Sequence, residues 1–170
     1  MIQAPRADRG LEPRIATLLA SDRNHDLALL RVEGAPLPAL TLGDAELVRE
    51  GTSVAFIGYP IAGILGFSPV THRGIVSSVT SIVLPAATAG QLSERAIARL
   101  RDGPFDIYQL DATAYPGNSG GPLFDVQTGR VVGVINMVLI RGTRESALTN
   151  PTGITYAIPV RFVRELLERR

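Results

Sequence analysis

One serine in this chain stands in a setting suited to covalent chemistry. Ser119 lies in the string Asp111-Ala112-Thr113-Ala114-Tyr115-Pro116-Gly117-Asn118-Ser119-Gly120-Gly121-Pro122, where three glycines and two prolines surround it. Glycine at 117 permits a backbone conformation that turns amide N–H groups to one side. The N–H groups of Gly117 and Ser119 can then converge on one point and form an oxyanion hole. Gly120 and Gly121 remove side chains that would crowd a substrate carbonyl. A Gly-rich stretch by itself is only a turn between strands. The whole Gly-Asn-Ser-Gly-Gly-Pro string between two apolar runs points instead to a nucleophile. The same letters fit the nucleophile elbow of α/β-hydrolases, which needs a helix straight after the serine and a histidine further on. Here residues 122–126 read as a strand before the turn at Thr128-Gly129, and no histidine follows Ser119.

The remaining chemistry-bearing residues are few. There are two histidines, His25 and His72, and no cysteine. A disulfide framework and a Cys-based metal site are excluded, a His-rich zinc site is not expected, and no cofactor is called for. His25 neighbours Asp26, and adjacent side chains of an extended segment point to opposite faces. His25 is therefore expected to turn away from Asp26 as an exposed turn histidine. His72 falls in the strand leading to Gly74-Ile75-Val76. The net charge of +1, with no basic cluster, gives no electrostatic support for nucleic-acid binding. No run approaches the roughly 20 apolar residues of a membrane span. The first residues, Met1-Ile2-Gln3-Ala4-Pro5-Arg6, lack the apolar core of a signal peptide.

The elements that must position Ser119 read mostly as short strands between turn residues. Strands are expected over 14–20, 27–32, 53–59, 70–84, 106–111, 123–126, 130–140 and 153–158. Seventeen glycines and twelve prolines punctuate them, and 45% of residues are hydrophobic. Regular short strands without interleaved helices predict an all-β barrel or sandwich. Two helices are expected. One covers 91–100 and is stopped by Asp102-Gly103-Pro104. The other covers 160–170, with Phe162, Val163, Leu166 and Leu167 on one face and Arg161, Arg164, Glu165 and Glu168 largely on the other. Packing of that face onto a barrel is favoured over partner docking. No repeat or linker interrupts the chain.

Taken in order, the segments resemble the trypsin-like serine proteases of the HtrA/Deg family. Asn24-His25-Asp26-Leu27-Ala28-Leu29-Leu30-Arg31-Val32 looks like the segment of the family's acidic triad member. Leu42-Gly43-Asp44 and residues 51–60 look like its next two segments. Arg73-Gly74-Ile75-Val76-Ser77 resembles the first strand of the second barrel. The Ser119 loop, Val132-Gly133-Val134-Ile135-Asn136 and residues 153–159 complete the series. The resemblance implies a trypsin-like double β-barrel, with residues 1–66 as an incomplete first barrel, 67–159 as the second and 160–170 as a C-terminal helix. It also implies a serine endopeptidase with an acyl-enzyme mechanism, acting on polypeptide substrates. Asp26 matches the triad aspartate and Ser119 the nucleophile. On its own, Asp26 reads equally as a solvated turn acid.

The specificity pocket, by the same resemblance, lies between Thr113-Ala114-Tyr115 and Ile135-Asn136-Met137. Its lining residues Thr113, Ala114, Ile135, Asn136 and Met137 carry no charge, so selection of Lys or Arg at P1 is not expected. The triad order implies a histidine well upstream of Asp26, yet residues 1–24 hold none. The expectation is an N-terminally truncated chain, inactive alone, whose full-length form is exported or periplasmic. The alternative is a pseudo-protease that binds peptides or a partner without cutting them. No PDZ domain is expected within these residues, and no oligomeric state is read from them.

Overall fold

The computed structural model describes residues 2–5, 11–60, 68–82, 104–136 and 154–169. These form two units, one of residues 1–39 with 162–170, the other of residues 40–161.

The second unit is organised by strands that alternate one face inward. In β5, Ser53–Gly58, the positions Val54, Phe56 and Gly58 are buried and those between them half-buried. This is the two-residue period of a strand with one face on a core. The long β6, Val70–Ile82, pairs antiparallel with β5 through its first half and with β7, Phe105–Asp111, through its second. A register shift between Val76 and Ser78 marks where it bends from one partner toward the next. Pairing with β8, Pro122–Asp125, β9, Val131–Asn136, and β10, Ile154–Pro159, closes the sheet in the order β10-β7-β6-β5-β8-β9. Closure leaves no strand edge to aggregate.

The barrel is filled by Val54, Phe56, Val76, Tyr108, Leu110, Leu123, Val132, Ile135 and Ala157. Complete burial of a side chain such as Phe56, Leu110 or Leu123 contributes roughly 1.5–3 kcal/mol each. Tyr108 donates its hydroxyl to the Ala45 carbonyl at 3.2 Å, and burial pushes its pKa up to about 12.

The first unit is built of paired strands. β1, Ile2–Pro5, pairs antiparallel with β2, Leu11–Arg14, and β3, Ala16–Asp22, with β4, Leu27–Val32. Among the described residues these remain two-stranded sheets and close no barrel. The helix α1, Val160–Glu168, follows β10 directly. Phe162 and Leu166 are buried and Val163 and Leu167 half-buried, while Arg164, Glu165 and Glu168 face outward, as the amphipathic pattern predicts.

The architecture is all-β, with one closed barrel and a C-terminal helix. Three sequence expectations are corrected. The strand expected over 14–20 is two, β2 and β3, separated at Ile15. The boundary expected near residue 66 would set β5 apart from β6, whereas β5 pairs with β6 and β8 inside the closed barrel. It follows that the strand holding Arg73–Ser77 is the second of that barrel, not its first. Both units contain short strands bounded by turn residues, so sequence period alone carries no mark of the change. The helix expected over 91–100 lies outside the described residues.

Candidate active site

Ser119 is exposed on the loop joining β7 to β8. The loop is fixed from both sides by backbone bonds. Tyr59 N donates to Gly117 O at 3.1 Å, tying it to the end of β5, and Gly120 N donates to Ile135 O at 2.8 Å. Ile135 N donates in return to Gly121 O at 2.9 Å, and two internal turns are closed by Asn118 N on Tyr115 O and Gly121 N on Asn118 O. Gly117 has φ 106°, a region that side chains disfavour, and a Cβ there would run into the Tyr59 carbonyl. Glycine is required at 117 on both grounds. The N–H groups of Gly117 and Ser119 have no acceptor among the described residues. Two amide donors flanking an exposed hydroxyl, in a loop pinned by these bonds, can hold a developing oxyanion beside that hydroxyl.

Of the expected pocket residues, Thr113, Ala114 and Asn136 are half-buried. Ala114 packs against the barrel core, and Ile135 is buried within it, so Ile135 meets the serine loop through its backbone. Met137 lies outside the described residues. The Thr155 hydroxyl donates to the Ala112 carbonyl at 2.6 Å and anchors the start of the loop to β10.

Asp26 stands in the first unit, immediately before β4 and exposed. Its φ of 53° is in the left-handed region, uncommon for any residue but glycine and most tolerated by Asn, Asp and His. The turn that imposes this is built by Asp22, which sequence reasoning passed over. The Asp22 carboxylate accepts from Asn24 N at 3.0 Å, from His25 N at 3.1 Å and from the His25 ring at 2.9 Å. Burial alone would raise the Asp22 pKa. The hydrogen bonds and charge of His25, with the Asn24 amide, outweigh it and hold the carboxyl below 3.8. The spacing Asp22-x-Asn24-His25 is the signal of an Asx turn that identifies this role.

His25 is not the exposed turn histidine expected. Its ring stacks on Phe162 with centroids 3.7 Å apart, and its Nδ1 meets Asp22. The tight turn breaks the extended alternation on which the expectation rested. Adjacent residues here no longer point to opposite faces of a strand.

His72 emerges against the serine loop. It pairs opposite Phe56 across β5 and β6, stacks on that ring at 4.8 Å, and places Nε2 3.3 Å from Asn118 Nδ2. Asn118 is completely buried against Gly58, where any side chain would collide with it. No sequence spacing announces this pair, which lies 46 residues apart.

Comparison with known proteins agrees with the geometry. The family model of the trypsin-like peptidase domain matches residues 4–134. A protein of Pseudomonas putida named "Probable periplasmic serine endoprotease DegP-like" is 36% identical over 149 residues, covering 85% of this chain and 25% of its own. A protein of the same name from Halomonas elongata is 32% identical over 158 residues, 91% of this chain and 27% of its own. The chain thus spans about a quarter of the length of these curated relatives. Among solved structures, the HtrA-type protease AlgW with a decapeptide superposes with a TM-score of 0.69 at 28% identity, over 98% of this chain and 42% of that one. With the serine loop and the closed barrel, these matches lead to one conclusion: the chain belongs to the trypsin-like peptidase family, as a protease domain of the HtrA type.

Proposed function

We propose that these residues form the catalytic domain of a serine endopeptidase, with Ser119 as nucleophile and the Gly117 and Ser119 N–H groups as its oxyanion hole. The observation that carries the proposal is the exposed Ser119 hydroxyl between two amides that no protein acceptor engages among the described residues. In this reading Ser119 Oγ attacks the scissile carbonyl as an imidazole takes its proton. The oxyanion rests on the two amides, the imidazole passes the proton to the departing amine, and water releases the acyl group. Asp26 orients that imidazole. Neither histidine of this sequence is assigned as the general base. His25 is committed to Asp22 and Phe162, and His72 to Phe56 and Asn118. On this reading the 170 residues assayed by themselves are expected to be a poor protease.

The substrates are polypeptides, with Thr113, Ala114, Ile135, Asn136 and Met137 around the P1 side chain. Two supports are the AlgW structures solved with bound peptides and the uncharged character of these positions. Export of the whole protein is inferred from the periplasmic naming of its relatives. The test is a peptide-library digest with the full-length gene product. Cleavage after small or medium apolar residues, abolished by Ser119→Ala, is expected. A profile dominated by Lys, Arg, Asp or Glu at P1 contradicts the pocket, and cleavage surviving Ser119→Ala contradicts the nucleophile.

The commitment of both histidines elsewhere favours one second reading, a non-catalytic module that binds peptides. Saturable peptide binding by the full-length protein without hydrolysis would select it.

A further inference from the structure

We propose that His72 is a positioning residue for the serine loop: its neutral ring accepts a hydrogen bond from Asn118 that fixes the amide, and protonation of that ring forces Asn118 to rearrange. The catalytic consequence rests on the reading of Ser119 as nucleophile, whereas the positioning itself does not.

Asn118 sits between the two residues assigned to the oxyanion hole. Its side chain is wholly enclosed, and Gly58 is the space that admits it. Inside that space Asn118 Nδ2 donates to His72 Nε2 at 3.3 Å, and Oδ1 has no hydrogen-bond partner among the described residues. This one side-chain bond decides where the amide points. For Nε2 to accept, the imidazole must be neutral with its proton on Nδ1. The ring cannot turn aside freely. One face is stacked on the buried Phe56 with planes 17° apart, and Tyr115 of the serine loop lies tilted at 6.1 Å. His72 therefore occupies a slot between the barrel core and the loop, with its acceptor nitrogen aimed at Asn118.

The surroundings oppose a charge in this slot. On β5 the group opposite the ring is Phe56, and on the loop the groups are Asn118 and Tyr115. On β6 itself Arg73 lies on the outer face. Asp111, at the end of β7, pairs opposite the exposed Ile75 rather than His72. Burial lowers the pKa of His72 below 6.5. Once protonated, Nε2–H would confront Nδ2–H, so the enclosed Asn118 amide must either turn over to present Oδ1, which has no other partner among the described residues, or withdraw and take the loop with it. The Asn118 carbonyl accepts from Gly121 N, so a displaced Asn118 loosens the turn that follows Ser119.

The test begins with the full-length protein unaltered. Long-range ¹⁵N–¹H NMR of the His72 ring is expected to show the Nδ1–H tautomer. The Asn118 side-chain amide resonances are expected to move with the same midpoint as the ring when it titrates. An Nε2–H tautomer, or Asn118 resonances indifferent to the titration, would overturn the proposal. Neither reading depends on catalysis, so a failure here is distinct from a failure of the protease assignment. Variants separate hydrogen bonding from packing. His72→Phe keeps the stack on Phe56 and loses the acceptor. Hydrogen exchange at the Gly120 and Gly121 amides should then accelerate about tenfold relative to Val54 and Leu123. His72→Gln restores an acceptor that does not titrate, and should return exchange toward the original rate and remove its acid sensitivity. Unchanged exchange in His72→Phe, or no recovery in His72→Gln, would assign His72 to core packing alone.

Discussion

At the scale of single residues, the first unit turns on a buried acid. Asp22 collects three hydrogen bonds from the turn that presents Asp26, and Arg169 approaches it at 3.4 Å. Its folded pKa lies below the ordinary 3.8, so the unfolded chain binds a proton more readily near that pH. The stabilisation is therefore complete above 3.8 and is lost as pH falls through the lowered folded value. An Asp22→Asn variant is expected to lose this acid-dependent component, which urea denaturation at pH 2.5 to 6 measures (an interval of roughly the width over which a shifted carboxylate titrates). Removing His25 instead leaves Asp22 buried without its ring partner, and His25→Ala is expected to destabilise by about 1–3 kcal/mol in the same assay. The turn-forming character of Asp22 and Asn24 is written in their local spacing, but the role of His25 as their partner is not. Its placement depends on Phe162, which is 137 positions further along the chain by the numbering.

At the scale of elements, the loop from β7 to β8 is held in place by its glycines. Gly117 and Gly120 both have positive φ, 106° and 83°. They differ in surroundings: a Cβ at 120 meets nothing within 4 Å, whereas one at 117 strikes the Tyr59 carbonyl. Gly120→Ala should therefore cost only backbone strain, about 1–2 kcal/mol. Gly117→Ala should cost more and displace the loop, seen as a larger fall in denaturation midpoint and slower reaction of Ser119. The string around Ser119 makes the loop visible from sequence, because glycine and proline at fixed offsets restrict the backbone locally. The strands are equally visible from their two-residue period. Membership of β5 in the closed barrel is not, since pairing between β5, β6 and β8 is a long-range choice that leaves the local pattern unchanged. The contact of His72 with Asn118 is hidden for the same reason.

For the molecule as a whole, the two units differ in how completely they cover their apolar surface. The closed barrel encloses its core, while Leu18 and Leu30, directly paired across β3 and β4, are 59% and 44% exposed. Apolar pairs on a short two-stranded sheet invite association. Residues 1–170 expressed by themselves are expected to aggregate, and Leu18→Glu is expected to raise the soluble fraction measured by light scattering. They are also expected to be nearly inert as a protease, since a serine protease deprived of its catalytic histidine loses about 10⁶-fold in kcat. The central claim is the role of Ser119, and covalent labelling reads it directly. The full-length protein, treated with a serine-directed phosphonate and analysed by intact mass and peptide mapping, should carry one adduct, on Ser119, and none after Ser119→Ala. An adduct on another residue, or one that persists in Ser119→Ala, would contradict the assignment.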